Sequence, residues 1–87
     1  MNIKRLKDLR EDKDLKQEDI AKILGIKQQN YSRYEIGIIL MPIDRLEKLA
    51  IFYNTSIDYI IGLTNMKEPY PRIKKMSKVN NNLTQDK

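Results

Sequence analysis

The chain predicts an all-α domain, a bundle of five short helices followed by a basic tail. Three observations carry this. Apolar residues recur three and four apart through residues 1–61, the spacing of a helix with one buried stripe. Glycines and a proline punctuate that pattern at Gly25, Gly37, Pro42 and Gly62. No stretch shows the strict alternation of a half-buried strand, and no internal repeat is present.

Ile3, Leu6 and Leu9 mark one face of a first helix, with Lys4, Lys7, Asp8 and Glu11 on the other. Asp12 to Lys16 is a polar connection under which Leu15 tucks. The stretch Gln17 to Glu35, QEDIAKILGIKQQNYSRYE, organises the rest and reads as two helices joined at a glycine. Ile20, Ile23 and Leu24 form the buried stripe of the first. Gly25 follows where the chain must turn left-handed, a conformation that costs glycine little. Ala21, four residues earlier, is small where the two helices must cross, and Ile26 fills the corner. The second helix starts near Gln28 and turns Tyr31 and Tyr34 inward, leaving Gln28, Gln29, Ser32 and Arg33 outward.

A fourth helix begins at Pro42, since proline suits a first helical turn, and buries Leu46, Leu49, Ala50 and Tyr53. Asn54 ends it. Ser56 caps a fifth helix that buries Ile57, Ile60 and Ile61, with Asp58 in its first turn and Gly62 at its end.

From Thr64 the composition changes: Pro69 and Pro71 break helices and apolar residues thin out. The expected organisation is a domain over 1–63 and a solvated, disordered tail over 64–87. Two other readings of the tail stand beside it: a basic arm touching phosphates, or a short docking helix through Ile73, Met76 and Val79.

Composition narrows the function. The 87 residues hold one small domain, and the chain contains neither cysteine nor histidine. That removes disulfides, thiolate metal sites and the commonest general base, and no metal or other cofactor is expected. Glu35 and Asp8 have no nucleophile, metal ligands or phosphate loop around them, so an enzyme is not expected. The charged start MNIKRLKDLRED is no signal-peptide core. The longest apolar run, Ile36 to Ile43, is interrupted by Gly37 and Pro42 and falls far short of the roughly 20 residues of a membrane span. A soluble, cytoplasmic protein is expected. Net charge is +5, of which residues 64–87 contribute +4, leaving only +1 on residues 1–63. Overall basicity is therefore a weak pointer to nucleic acid, and the position of individual charges must carry the case.

The Gln17, Ala21, Gly25 spacing with the SRYE–x–G ending, Ser32 to Gly37, resembles the helix-turn-helix of the Cro/cI-type (XRE-like) regulators. The resemblance runs from about Lys4 to Gly62 and implies a five-helix, lambda-repressor-like DNA-binding domain. It further implies a sequence-specific transcriptional regulator, a repressor that binds a palindromic operator in double-stranded DNA as a homodimer. Gln28 and Gln29 match the positions that read bases, where glutamine pairs bidentately with adenine. Arg33 can reach either a guanine or a phosphate; Ser32 shares its face, and Asn30 flanks toward the backbone. Gln17 matches a phosphate contact at a helix start, and Arg10 with Glu35 matches a structural cross-helix ion pair.

Three departures from the family pattern stand out. Lys16 and Lys27 occupy the cap positions where serine or threonine is usual, and lysine cannot accept from the exposed N–H groups. Either DNA phosphates supply the missing caps there, with the lysines adding charge, or water solvates the ends and Glu18 and Asp19 balance the first of them. The link Ile38, Ile39, Leu40, Met41 is apolar where basic residues are usual. With Ile57 and Ile61 it is expected to form the dimer contact, with Ile39 or Leu40 turned into the core. A competing reading is an antitoxin-like module whose apolar link binds a partner or antagonist protein. Neither reading involves a membrane or a small-molecule substrate.

Overall fold

The computed structural model describes residues 4–73, which form five α-helices and, among the described residues, no strand. The helices are α1 Lys4–Asp12, α2 Gln17–Leu24, α3 Gln28–Ile36, α4 Ile43–Phe52 and α5 Ile57–Ile60. Ile3, expected on the buried face of α1, lies outside the described residues, as do Met76 and Val79.

The inward stripes of these helices meet in one core. Leu6, Ile20, Tyr31, Leu49 and Ile60 are fully buried, with Leu9, Ala21, Tyr34, Leu46, Ala50 and Tyr53 nearly so. Leu15, Ile23, Leu24 and Ile26 pack around its edge. α2 and α3 pack most closely on each other, across the small side chain of Ala21. Gly25 turns between them at φ 71°, with its N–H donating to the Lys22 carbonyl and the Ile26 N–H to the Ala21 carbonyl. A Cβ placed on Gly25 would meet nothing within 4 Å, so the left-handed backbone alone selects glycine there. α3 ends the same way at Gly37, whose φ is 82°.

Two sequence expectations are corrected in the link. Met41 is 4% exposed and belongs to the core, while Ile39 and Leu40 are 40% and 73% exposed. The residue next to the rigid start of α4 is the one carried inward. Pro42 adopts ψ 151° and stands just ahead of α4 as its N-cap, not within its first turn.

At the other end, Asn54 takes a left-handed φ of 55° and Ser56 Oγ accepts from the Tyr59 N–H at 3.0 Å. Residues 64–73 run back over α4 and α5. Thr55 donates its hydroxyl to the Lys67 carbonyl, Tyr70 donates to Asp58 at 2.7 Å, and Arg72 donates to the Thr55 carbonyl at 3.0 Å. Arg5 closes the bundle from α1. Its guanidinium lies 4.1 Å from the Tyr59 ring centroid and donates to the Tyr59 carbonyl at 2.8 Å, to the Thr64 carbonyl and to Asn65. Composition alone carried no signal for this strap, because each of its contacts joins residues far apart in the chain.

Candidate nucleic-acid interface

The outward side of α3 follows from its inward one. Burying Tyr31 and Tyr34 rotates Gln28, Gln29 and Arg33 into solvent, with Ser32 at the edge. These four line a shallow open depression together with Gln17, Ile36 and Ile38. Asn30 is exposed beside it. Gln17 and Gln28 thus come together although they lie eleven positions apart in the chain.

The start of α3 is electrostatically bare. Lys27, in extended conformation, makes no side-chain cap, and the first turn contains no acidic residue. A helix start of this kind carries a partial positive charge and unpaired N–H groups, to which the Lys27 ammonium adds. α2 differs. Lys16 likewise offers no cap, but Asp19 Oδ2 accepts the Lys16 backbone N–H at 2.8 Å, and Glu18 adds a second carboxylate in the first turn. Glu18 and Asp19, expected from the sequence to balance the start of α2, stand in its first turn, and α3 has no acidic counterpart.

Behind the depression, Glu35 holds α1, α2 and α3 together. Arg10 donates to it through Nε at 2.7 Å and Nη2 at 3.1 Å, and Gln17 Nε2 donates at 3.1 Å. Arg10 also donates to the Leu15 carbonyl at 2.9 Å, which secures the α1–α2 connection. Burial pushes the Glu35 carboxyl pKa up, but the hydrogen bonds from Arg10 and Gln17 and the Arg10 charge outweigh it and hold the group below its ordinary value. The hydrogen bond to Glu35 raises Arg10 above its ordinary value against the opposing effect of burial. Burial, and next the Glu35 carboxylate, push the Tyr31 hydroxyl far up, so it stays neutral. Gln17 therefore has one amide hydrogen committed to the scaffold and faces the depression from a fixed position.

The residues expected at a dimer contact divide four ways. Ile38 borders the depression, Ile39 and Leu40 are exposed beyond it, and Met41 is buried. Ile57 and Ile61 are half-buried against the core. Arg45 was not anticipated; its guanidinium donates to the Tyr34 hydroxyl and sits 5.9 Å from that ring, bracing α3 against α4.

Residues 6–60 match the family model described as "Helix-turn-helix". The chain belongs to the helix-turn-helix family. It is 37% identical over 75 residues to YobD of Bacillus subtilis (strain 168), named as an HTH-type transcriptional regulator, covering 86% of this chain and 65% of that one. It is 35% identical over 58 residues to the cryptic phage CTXphi transcriptional repressor RstR of Vibrio cholerae, covering 67% of this chain and 52% of the repressor. AnsR of Bacillus subtilis, another HTH-type transcriptional regulator, is 32% identical over 72 residues, covering 83% and 62%. The chain thus matches less than two thirds of the length of each of these relatives. No solved structure matches it significantly. The helix-turn-helix residues are α2, the turn at Gly25 and α3, within a family of DNA-binding regulators rather than enzymes.

Proposed function

We propose that this chain is a sequence-specific transcriptional repressor that binds a palindromic operator in double-stranded DNA as a homodimer. The observation that carries this reading is the depression on α3, where Gln28, Gln29, Ser32 and Arg33 are grouped at the leading end of an exposed helix. The major groove admits one helix of this diameter, and amide and guanidinium groups match its donor and acceptor edges. Gln28 and Gln29 read bases. Arg33 reads a guanine or holds a phosphate, Ser32 supports it, and Asn30 touches the backbone.

Gln17, Lys16 and Lys27 hold phosphates at the two helix starts. The bare start of α3 is the stronger of the two anion sites, since no carboxylate competes there. Ile39 and Leu40, with Ile57 and Ile61, supply the contact between copies, which sets the two α3 helices about 34 Å apart, one turn of the duplex. Repression follows from occupying a promoter. One of the similar proteins is named as a phage repressor, which agrees with this reading.

Selecting bound duplexes from a random pool with the full chain, and weighing the winning complex, tests the proposal. A palindrome held by two copies supports it. Weak, sequence-blind binding that loses little with salt sinks it, because each neutralised phosphate contributes a salt slope of about −0.9.

A further inference from the structure

Two isoleucines share the depression with the polar residues. Ile36 is 65% and Ile38 67% exposed, and both line the same concave surface as Gln28, Gln29, Ser32 and Arg33. Single exposed apolar side chains are ordinary on a protein surface. Two side by side, in one concavity with a set of hydrogen-bonding groups, call for an apolar counterpart within whatever fills it. The helix geometry puts them there. Gln28, Ser32 and Ile36 are four residues apart, so one stripe of α3 begins in an amide and ends in a branched alkyl group. The left-handed turn at Gly37 then folds the chain back, with the Ile38 N–H donating to the Arg33 carbonyl at 3.1 Å, and brings Ile38 beside that end.

We infer that Ile36 and Ile38 are specificity residues that pack on thymine C5-methyl groups in the major groove. The inference rests on the DNA-binding reading above and adds a base preference to it. Among the base-edge groups in the major groove, the thymine methyl is the apolar one. An isoleucine offers nothing to a phosphate, a guanine edge or an exposed amine, and it gains only where a methyl is withdrawn from water with it. The eight residue steps from Gln28 to Ile36 span roughly 12 Å at 1.5 Å per residue. At 3.4 Å per base along a strand, the methyl in question lies roughly three to four base pairs from those met by the glutamines. A sugar face could also take an isoleucine, but every sequence presents one, so it would confer no preference.

Deoxyuridine replaces thymine with the pairing unchanged and the methyl removed. The test uses the full chain and the operator selected from random duplexes, with each thymine replaced in turn by deoxyuridine and the dissociation constant measured. The wild-type chain should lose about fourfold at one or two positions, the worth of one buried methyl-sized group. Ile36→Ala and Ile38→Ala, both at exposed sites that leave the fold intact, should lose affinity on the thymine operator and lose nothing further on the deoxyuridine one. If every substituted duplex binds the wild-type chain unchanged, the inference is overturned while the operator itself upholds the DNA-binding reading. Equal losses by the variants on both duplexes overturn it too, and assign the isoleucines to sugar contacts or to the second copy. A pool that yields no preferred duplex removes both readings.

Discussion

The Glu35 carboxylate receives two hydrogen bonds from the Arg10 guanidinium, at 2.7 and 3.1 Å, across twenty-five residues of chain. The side chains are 3% and 11% exposed, so the pair is nearly dry. Removing one member of such a pair strands the other charge in low dielectric, whereas a neutral isostere retains part of the hydrogen bonding. Arg10→Met should therefore destabilise the domain by about 3 kcal/mol in urea unfolding, much of the total for a fold of this size. Glu35→Gln should cost less than Arg10→Ala. An equal or larger loss from the glutamine would mean that charge, not hydrogen bonding, dominates the lock.

The same carboxyl predicts an acid limb of stability. Its pKa in the folded state is held below the ordinary carboxylate value of 4.5. The unfolded chain therefore binds the proton first as pH falls, and the stabilisation is complete above that ordinary value. It drains away as pH drops below 4.5 and is gone once the folded carboxyl is protonated. Urea midpoints between pH 6 and pH 3 should fall more steeply for the wild-type chain than for Glu35→Gln. Parallel curves would remove Glu35 from the account.

Base reading by Gln28 and Gln29 has a sharp signature. Each good bidentate pair discriminates by about 1–3 kcal/mol. Alanine at both should cut preference for the selected operator by tenfold or more, while affinity for unrelated duplex DNA changes little. Operator preference that survives the double substitution places recognition elsewhere on the molecule.

Lys27→Ser separates the two roles assigned to the bare α3 start. A serine there can accept from the second or third helical N–H, as Ser56 does on α5, and should add about 1 kcal/mol of stability. Operator affinity and its salt dependence should both decline, because a charge and an anion site are lost together. A variant that gains both stability and affinity would show that no phosphate sits at this helix end.

Neighbouring link residues should respond oppositely to truncation. Met41→Ala opens a cavity in the core and should cost about 2–5 kcal/mol. Leu40→Ala should change monomer stability by no more than about 0.5 kcal/mol, yet weaken two-to-one binding to the operator. Sedimentation with and without operator duplex distinguishes the two effects. If Leu40→Ala leaves the assembly on DNA untouched, the contact between copies lies elsewhere.

How far the sequence alone reaches can be seen at Gly25 and at Met41. Periodicity and punctuation sufficed for all five helices, for the left-handed turn at Gly25, and for the outward display of Gln28, Gln29, Ser32 and Arg33, because each is a local consequence of backbone sterics and 3.6-residue geometry. The ion pair of Arg10 and Glu35 was legible only through the family resemblance. Tertiary packing alone decided that Met41 rather than Ile39 or Leu40 enters the core, that Gln17 is tied to Glu35, and that residues 64–73 strap back through Tyr70, Arg72 and Arg5. The reason is physical. Four apolar residues in an irregular link have no period to rank them, and which one is buried depends on the space left where separate helices converge.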